Sequence, residues 1–130
     1  MDRTELEKRT QKFHIDVLKL CEKVPKTPVG FELAKQLIRS AGGVGSNYRA
    51  SRRSKSISDF IYKIENVLEE ADESHYWVDV IYKAGILTIS SEDDIRNLIN
   101  EANELTAIFA ASDKTAKKKR EIQRYKDKRF

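Results

Sequence analysis

The sequence predicts an all-α protein, an antiparallel up-down-up-down four-helix bundle. Three observations carry this expectation. Apolar residues recur at helical spacing in four separate stretches of the 130-residue chain. No alternating apolar–polar run of the kind that marks a strand is present. The breaks between the stretches are short, which makes consecutive helices antiparallel neighbours.

Helix 1 is expected over residues 5–23. Thr4 with Glu7 reads as a capping box, in which each side chain satisfies a free backbone N–H. Leu6, Thr10, Phe13, Val17, Leu20, Cys21 and Val24 fall on one stripe, and Pro25 ends the helix because it lacks an N–H and pushes its predecessor out of the helical region. Helix 2 is expected over 28–53, with Thr27 as N-cap and Pro28 in the first turn. Its stripe is Phe31, Ala34, Leu37, Ile38, Ala41, Val44, Gly45 and Tyr48. Gly42, Gly43 and Gly45 each weaken it by about 1 kcal/mol against alanine. The stripe keeps phase across them, so the reading is one bent helix rather than two. Glycines kept inside a helix admit a close neighbour, here expected to be another subunit.

Helix 3 is expected over 57–84, capped by Ser56 with Asp59. Ile57, Phe60, Ile61, Ile64, Val67, Leu68, Ala71, His75, Val78 and Tyr82 form its main stripe. Trp77, Ile81 and Ala84 align at i, i+4 and i+7 away from that stripe. A solvated helix does not need them there, so they are expected to form a second buried face, a subunit contact; scattered surface hydrophobes are the plainer account. Gly85 ends the helix, and Ile86–Ile89 is expected to tuck under the bundle end. Helix 4 is expected over 92–113, capped by Ser91 with Asp94, with Ile95, Leu98, Ile99, Ala102, Leu105, Thr106 and Phe109 inward. Residues 114–130 read as a basic extension, frayed or disordered.

Charge divides the chain into blocks. Residues 1–54 carry +6, residues 55–113 carry −9 and residues 114–130 carry +7. Such polarity points to a polyanion partner, to self-association, or to both. The single cysteine, Cys21, excludes an internal disulfide framework and fits a reducing, cytoplasmic setting. The charged N-terminus leads into no apolar run, so no signal peptide is expected, and no stretch is apolar enough to span a membrane.

Several residue groups carry possible chemistry. Lys35, Arg39, Arg49 and Arg53 share one sector of helix 2, and Arg52 and Lys55 extend it into the turn. A row of cations neutralises successive phosphates and releases counterions, and Tyr48 would offer a stacking face to a base. Lys117, Lys118, Lys119 and Arg120 supplement the row. A solvated helix face accounts for the same pattern. The acidic group Glu69, Glu70, Asp72 and Glu73 lacks the Glu-x-x-His pairs of a di-iron bundle; only Asp72 and His75 come near, and His75 reads as a core histidine. No metal or other cofactor is expected. Arg9 and His14 spell Arg-x4-His, similar to the active motif of helical HEPN ribonucleases, but the rest of the chain does not resemble them. No reaction centre emerges, so a binding or assembly protein is expected rather than an enzyme.

Leu37-Ile38-Arg39-Ser40, Val44-Gly45-Ser46-Asn47-Tyr48-Arg49, Phe60-Ile61 and Glu69-Glu70-Ala71-Asp72-Glu73-Ser74, leading to Tyr76-Trp77, occur in that order. In these motifs the chain resembles the bacterial four-helix-bundle family of 23S rRNA intervening-sequence proteins, whose relatives include the accessory variability proteins of diversity-generating retroelements. The resemblance implies a ring-shaped homopentamer. Through the accessory variability branch it also implies binding to RNA or DNA and to a reverse transcriptase through a basic surface.

Overall fold

The computed structural model of the protein describes residues 1–129, with every side chain among them except that of Ile89. It contains α1 (Arg3–Cys21), α2 (Pro28–Ser51), α3 (Ile57–Lys83) and α4 (Glu92–Arg129), with one 3-10 turn, Ile89–Ser91, leading into α4. The all-α four-helix bundle expected from the sequence is the observed fold.

Contacts between neighbouring helices fix the directions. Thr10 lies against Gly45, His14 against Gly42 and the Cys21 thiol against the Ala34 carbonyl, so α2 descends as α1 rises. Gly43 faces Glu70, and Ser40 meets Ser74, giving the same opposition between α2 and α3. Lys117 bonds Glu65 and Arg120 reaches Ser58, which sets α4 antiparallel to α3. Arg9 to Glu101 and Lys23 to Asp94 close the cycle between α1 and α4.

Local chemistry accounts for most helix ends. Thr27 accepts the Gly30 N–H, with Pro28 just inside α2. Ser56 accepts the Asp59 N–H, and the Asp59 carboxylate reaches back to the Lys55 N–H. α1 differs from expectation: Asp2, not Thr4, is its N-cap, accepting the Glu5 N–H at 2.8 Å. Both residues are capping types two positions apart, and the earlier one captures an additional half-turn. Gly85 has φ of 65°, the left-handed conformation that ends α3 without a side-chain clash.

The core is the meeting of four stripes. Phe13, Val17, Leu37, Val44, Ile64, Val67, Val78, Ile95, Leu105 and Phe109 are almost wholly buried. Each large side chain contributes about 1.5–3 kcal/mol by leaving water. Three sequence assignments move. Phe31 is 61% exposed rather than part of the α2 stripe. Ser74, with no exposed surface, takes the core position expected of its neighbour His75, which is only half-buried. Ile81 is fully buried inside the bundle.

Residues 114–129 continue α4 rather than forming a separate frayed extension. Ala116 is buried, and Lys117 bonds both Glu65 at 2.7 Å and Asp113 at 3.1 Å. These contacts hold the helix through its charged stretch. Residues 121–129 are all exposed, so the last nine helical residues, about 13 Å of helix, have only solvent around them. Leu87 packs on the core as the connection before α4 was expected to do; the Ile89 side chain and Phe130 lie outside the described residues. No helix among the described residues is long and apolar enough to cross a membrane.

Candidate nucleic-acid interface

The antiparallel order places the C-terminus of α2, the N-terminus of α3 and the second half of α4 at one end of the bundle. Two basic segments about 60 residues apart in sequence therefore meet: Arg49, Arg52, Arg53 and Lys55 on one side, Lys117, Lys118, Lys119 and Arg120 on the other. Arg120 donates to Ser58 at 3.4 Å, at the start of α3, and joins the two. Arg3, in the first turn of α1, belongs to the same end.

Ion pairing divides these cations. Arg52 bonds the Glu7 carboxylate, and Arg49 lies 3.9 Å from it. Arg39 donates to Glu73 at 2.5 Å across the α2–α3 groove. Lys117 is held between Glu65 and Asp113; its hydrogen bonds to Glu65 first and Asp113 second raise its pKa, and its ammonium holds the Glu65 carboxyl below its ordinary value. Lys35, Arg53, Lys55, Lys118 and Lys119 have no carboxylate partner among the described residues. Lys35 sits toward the middle of α2, away from the basic end.

Tyr48 gives this end only a sliver of surface, at the floor of a cleft. It is 6% exposed, with its ring 5.4 Å from that of Phe109. Burial pushes its phenol above the usual value, against the opposing pull of Arg52. The same stripe that carries Ala41 and Val44 inward carries Tyr48 inward, so it cannot stack on a base. Phe60, half-buried at the start of α3, is an aromatic that lines the clefts of this end, and its spacing had placed it only in the core.

Several of the residues expected at a subunit contact also have neighbours within the chain. A methyl group on Gly42 would lie 3.2 Å from the His14 ring, one on Gly43 would collide with the Glu70 carboxylate, and one on Gly45 would approach the Thr10 carbonyl at 3.6 Å. All three glycines therefore admit close neighbours within the chain. Ile81 is core, and Ala84 caps α3 in an exposed position. Trp77 is half-buried against the core, its indole N–H toward Glu73 at 3.3 Å, and stacks edge-on with the exposed Tyr76 at 5.0 Å. Of the six residues only Ile81 is wholly buried; Gly42, Gly43, Gly45 and Trp77 are half-buried and Ala84 is exposed.

The Arg-x4-His pair is split between two neighbours. The Arg9 guanidinium grips Glu101 with two bonds, at 2.8 and 2.6 Å, and Glu104 at 2.7 Å, all on α4. His14 abuts Gly42 on α2. Arg9 thus works as a clamp between α1 and α4. Among the described residues no group of three or more His, Cys, Asp or Glu side chains is placed to hold a metal ion.

A crystal structure of a protein with unknown function from the S23 ribosomal protein family, from Bacteroides thetaiotaomicron, shares this fold. It is 23% identical, with a TM-score of 0.76, over 88% of this chain and 99% of that one. No curated protein matches the chain. Residues 3–111 match the family described as 23S rRNA-intervening sequence protein, from the first turn of α1 to the middle of α4. A match of that length, over the whole four-helix core just described, means that the chain belongs to the 23S rRNA-intervening sequence protein family.

Proposed function

We propose that the protein is a non-catalytic, sequence-tolerant nucleic-acid-binding protein that works as a homo-oligomer, a ring-shaped pentamer by its resemblance to relatives. The observation that supports this most is the union of two basic segments from opposite parts of the chain at one end of the bundle. Cations gathered on one surface meet recurring phosphates, whereas scattered ones do not. Repetition of that surface around an oligomer combines weak contacts by avidity. Under this reading RNA or DNA is the partner, and a reverse transcriptase is the protein partner that the accessory variability branch implies.

A salt-titrated binding assay alongside size-exclusion light scattering tests it. Affinity should fall with a log–log slope of about −0.9 per phosphate on duplex DNA and about −0.7 on single strands. Arg53→Glu with Lys55→Glu should weaken binding to unrelated sequences equally, because phosphate contacts carry no base information. A second reading has its own observation: Glu69 and Asp72 are exposed on the outer face of α3, unpaired among the described residues, near the exposed Tyr76. They offer a seat for a neighbouring subunit's basic end. On that reading the double variant dissociates the oligomer and the wild type ignores nucleic acid.

A further inference from the structure

The basic end of the bundle is not flat. A cleft of about 430 Å³ lies between Arg3, Leu6, Tyr48, Arg52, Ser54 and Ser56. A second, of about 490 Å³, runs between α3 and α4 and is lined by Ile57, Ala111, Thr115, Ala116 and Lys119. Arg3, Phe60 and Ser112 line both, so the two are halves of one trough that passes Phe60. Arg52 stands in one half, Lys119 in the other and Arg3 between them. Arg3 and Lys119 are exposed and have no carboxylate partner among the described residues. Asp2, the carboxylate of the first half, turns an oxygen back to cap Glu5. The trough therefore joins cationic positions to an apolar wall formed by Phe60 and Ile57, the latter 37% exposed.

We infer that this trough is the seat of a single nucleic-acid strand, with a base against Phe60 and Ile57 and its flanking phosphates on Arg3 and Lys119. The inference rests on the nucleic-acid reading above and narrows it. Each half has the size of a small-molecule pocket, roughly 300–1,000 Å³. One unstacked nucleotide fits such a space, and a duplex, whose bases are stacked and paired, does not. An aromatic beside cations is the combination that holds single strands without reading their sequence. Hydroxyls of Ser112 and Thr115 line the trough and add donors for phosphate oxygens.

The test uses the full chain, a short single-stranded RNA and its duplex, with affinity read by fluorescence anisotropy. The single strand should bind about tenfold more tightly than the duplex. Arg3→Glu and Lys119→Glu should each lower single-strand affinity by about tenfold, while Lys35→Glu, remote on α2, changes it less than about twofold. Circular dichroism and light scattering on each variant show whether fold and assembly are intact. Arg3→Ala and Lys119→Ala, which remove charge without reversing it, should give smaller losses in the same order. A wild type that prefers duplex, or binding that ignores both trough variants, overturns the trough and leaves the broader reading standing. Equal loss in Lys35→Glu moves the seat to the side of α2. A wild type that binds neither probe removes the trough and the nucleic-acid reading together.

Discussion

Ser40 and Ser74 meet hydroxyl to hydroxyl at 3.0 Å, both without exposed surface, in the middle of the α2–α3 contact. Each also has a carbonyl of its own helix within reach, Leu37 at 3.2 Å and Glu70 at 2.8 Å, so two hydroxyl protons are shared among three contacts. Small side chains at these positions allow the helices to approach, and the hydroxyls satisfy one another in a site closed to water. Ser74→Ala should cost about 1 kcal/mol in urea denaturation, and Ser40→Ala the same. The double variant should cost less than the sum, since two facing methyl groups leave no polar atom unmatched. Strict additivity would mean that the hydroxyls are not coupled.

Much of the bundle was legible because apolar periodicity reports burial directly. Leu6, Phe13, Val17 and Leu20 on α1, and Ile95, Leu98, Leu105 and Phe109 on α4, are inward as their spacing predicts. Ser74 was missed because a hydroxyl carries no apolar signal, and its core place passed to His75. Ile81 was misassigned because the stripe was traced through Tyr82. Seven positions beyond Ser74 and three beyond Val78, Ile81 returns to the inward side. At the candidate site the basic residues were legible as charge. Their ion pairing and their meeting at one end were not, since both depend on which helices become neighbours.

The glycines separate sharply in what an added methyl meets. At Gly30 it would fall 1.9 Å from the Pro25 carbonyl oxygen, a backbone atom in the turn that joins α1 to α2. Gly30→Ala should therefore lower stability by at least about 2 kcal/mol, more than the gain of about 1 kcal/mol from helix propensity can offset. At Gly43 the obstacle is the end of the Glu70 side chain, which can rotate away. Gly43→Ala should lie within about 1 kcal/mol of wild type. Thermal melts of the two variants check the order; a more stable Gly30→Ala would place this turn differently.

Cys21 is half-buried, its thiol 4.0 Å from the Ala34 carbonyl, and burial pushes its pKa up to about 11 from an ordinary 9.0. The thiolate is the reactive form, so alkylation of the folded protein at pH 8 should run about a hundredfold slower than that of the unfolded chain. The sign for stability follows from the unfolded chain releasing the proton first. The thiol leaves stability unchanged below pH 9 and lowers it progressively as pH rises from 9 towards 11. Equal alkylation rates in buffer and in denaturant would contradict the burial.

Arg9 is the main polar tie across the thinnest seam of the bundle. Beside it a groove of about 650 Å³ separates α1 from α4, with Phe13, Leu20 and Leu98 among its lining residues. Its bonds to Glu101 raise the guanidinium pKa further, and the pair is only about a quarter exposed, at 23% and 26%. Arg9→Ala should cost about 1–3 kcal/mol, because Glu101 is left part-buried without its partner. Arg9→Lys should recover only part, since one ammonium cannot reproduce the two-bond grip. Hydrogen exchange should speed up in α1 before the other helices.

Two truncations separate the supported part of the long α4 from the unsupported part. A chain ending at Arg120 loses, among the described residues, only exposed ones and should melt at the wild-type temperature. A chain ending at Asp113 also loses the buried Ala116 and both bonds from Lys117. Asp113 is itself only 8% exposed, and its second carboxylate oxygen has no hydrogen-bond partner among the described residues. Losing these contacts should cost about 1–3 kcal/mol. The shorter chain should therefore melt several degrees lower, by roughly 4 °C per kcal/mol in a domain of this size. Equal melting of the two truncations would show that the contacts of Ala116 and Lys117 do not hold α4 to α3.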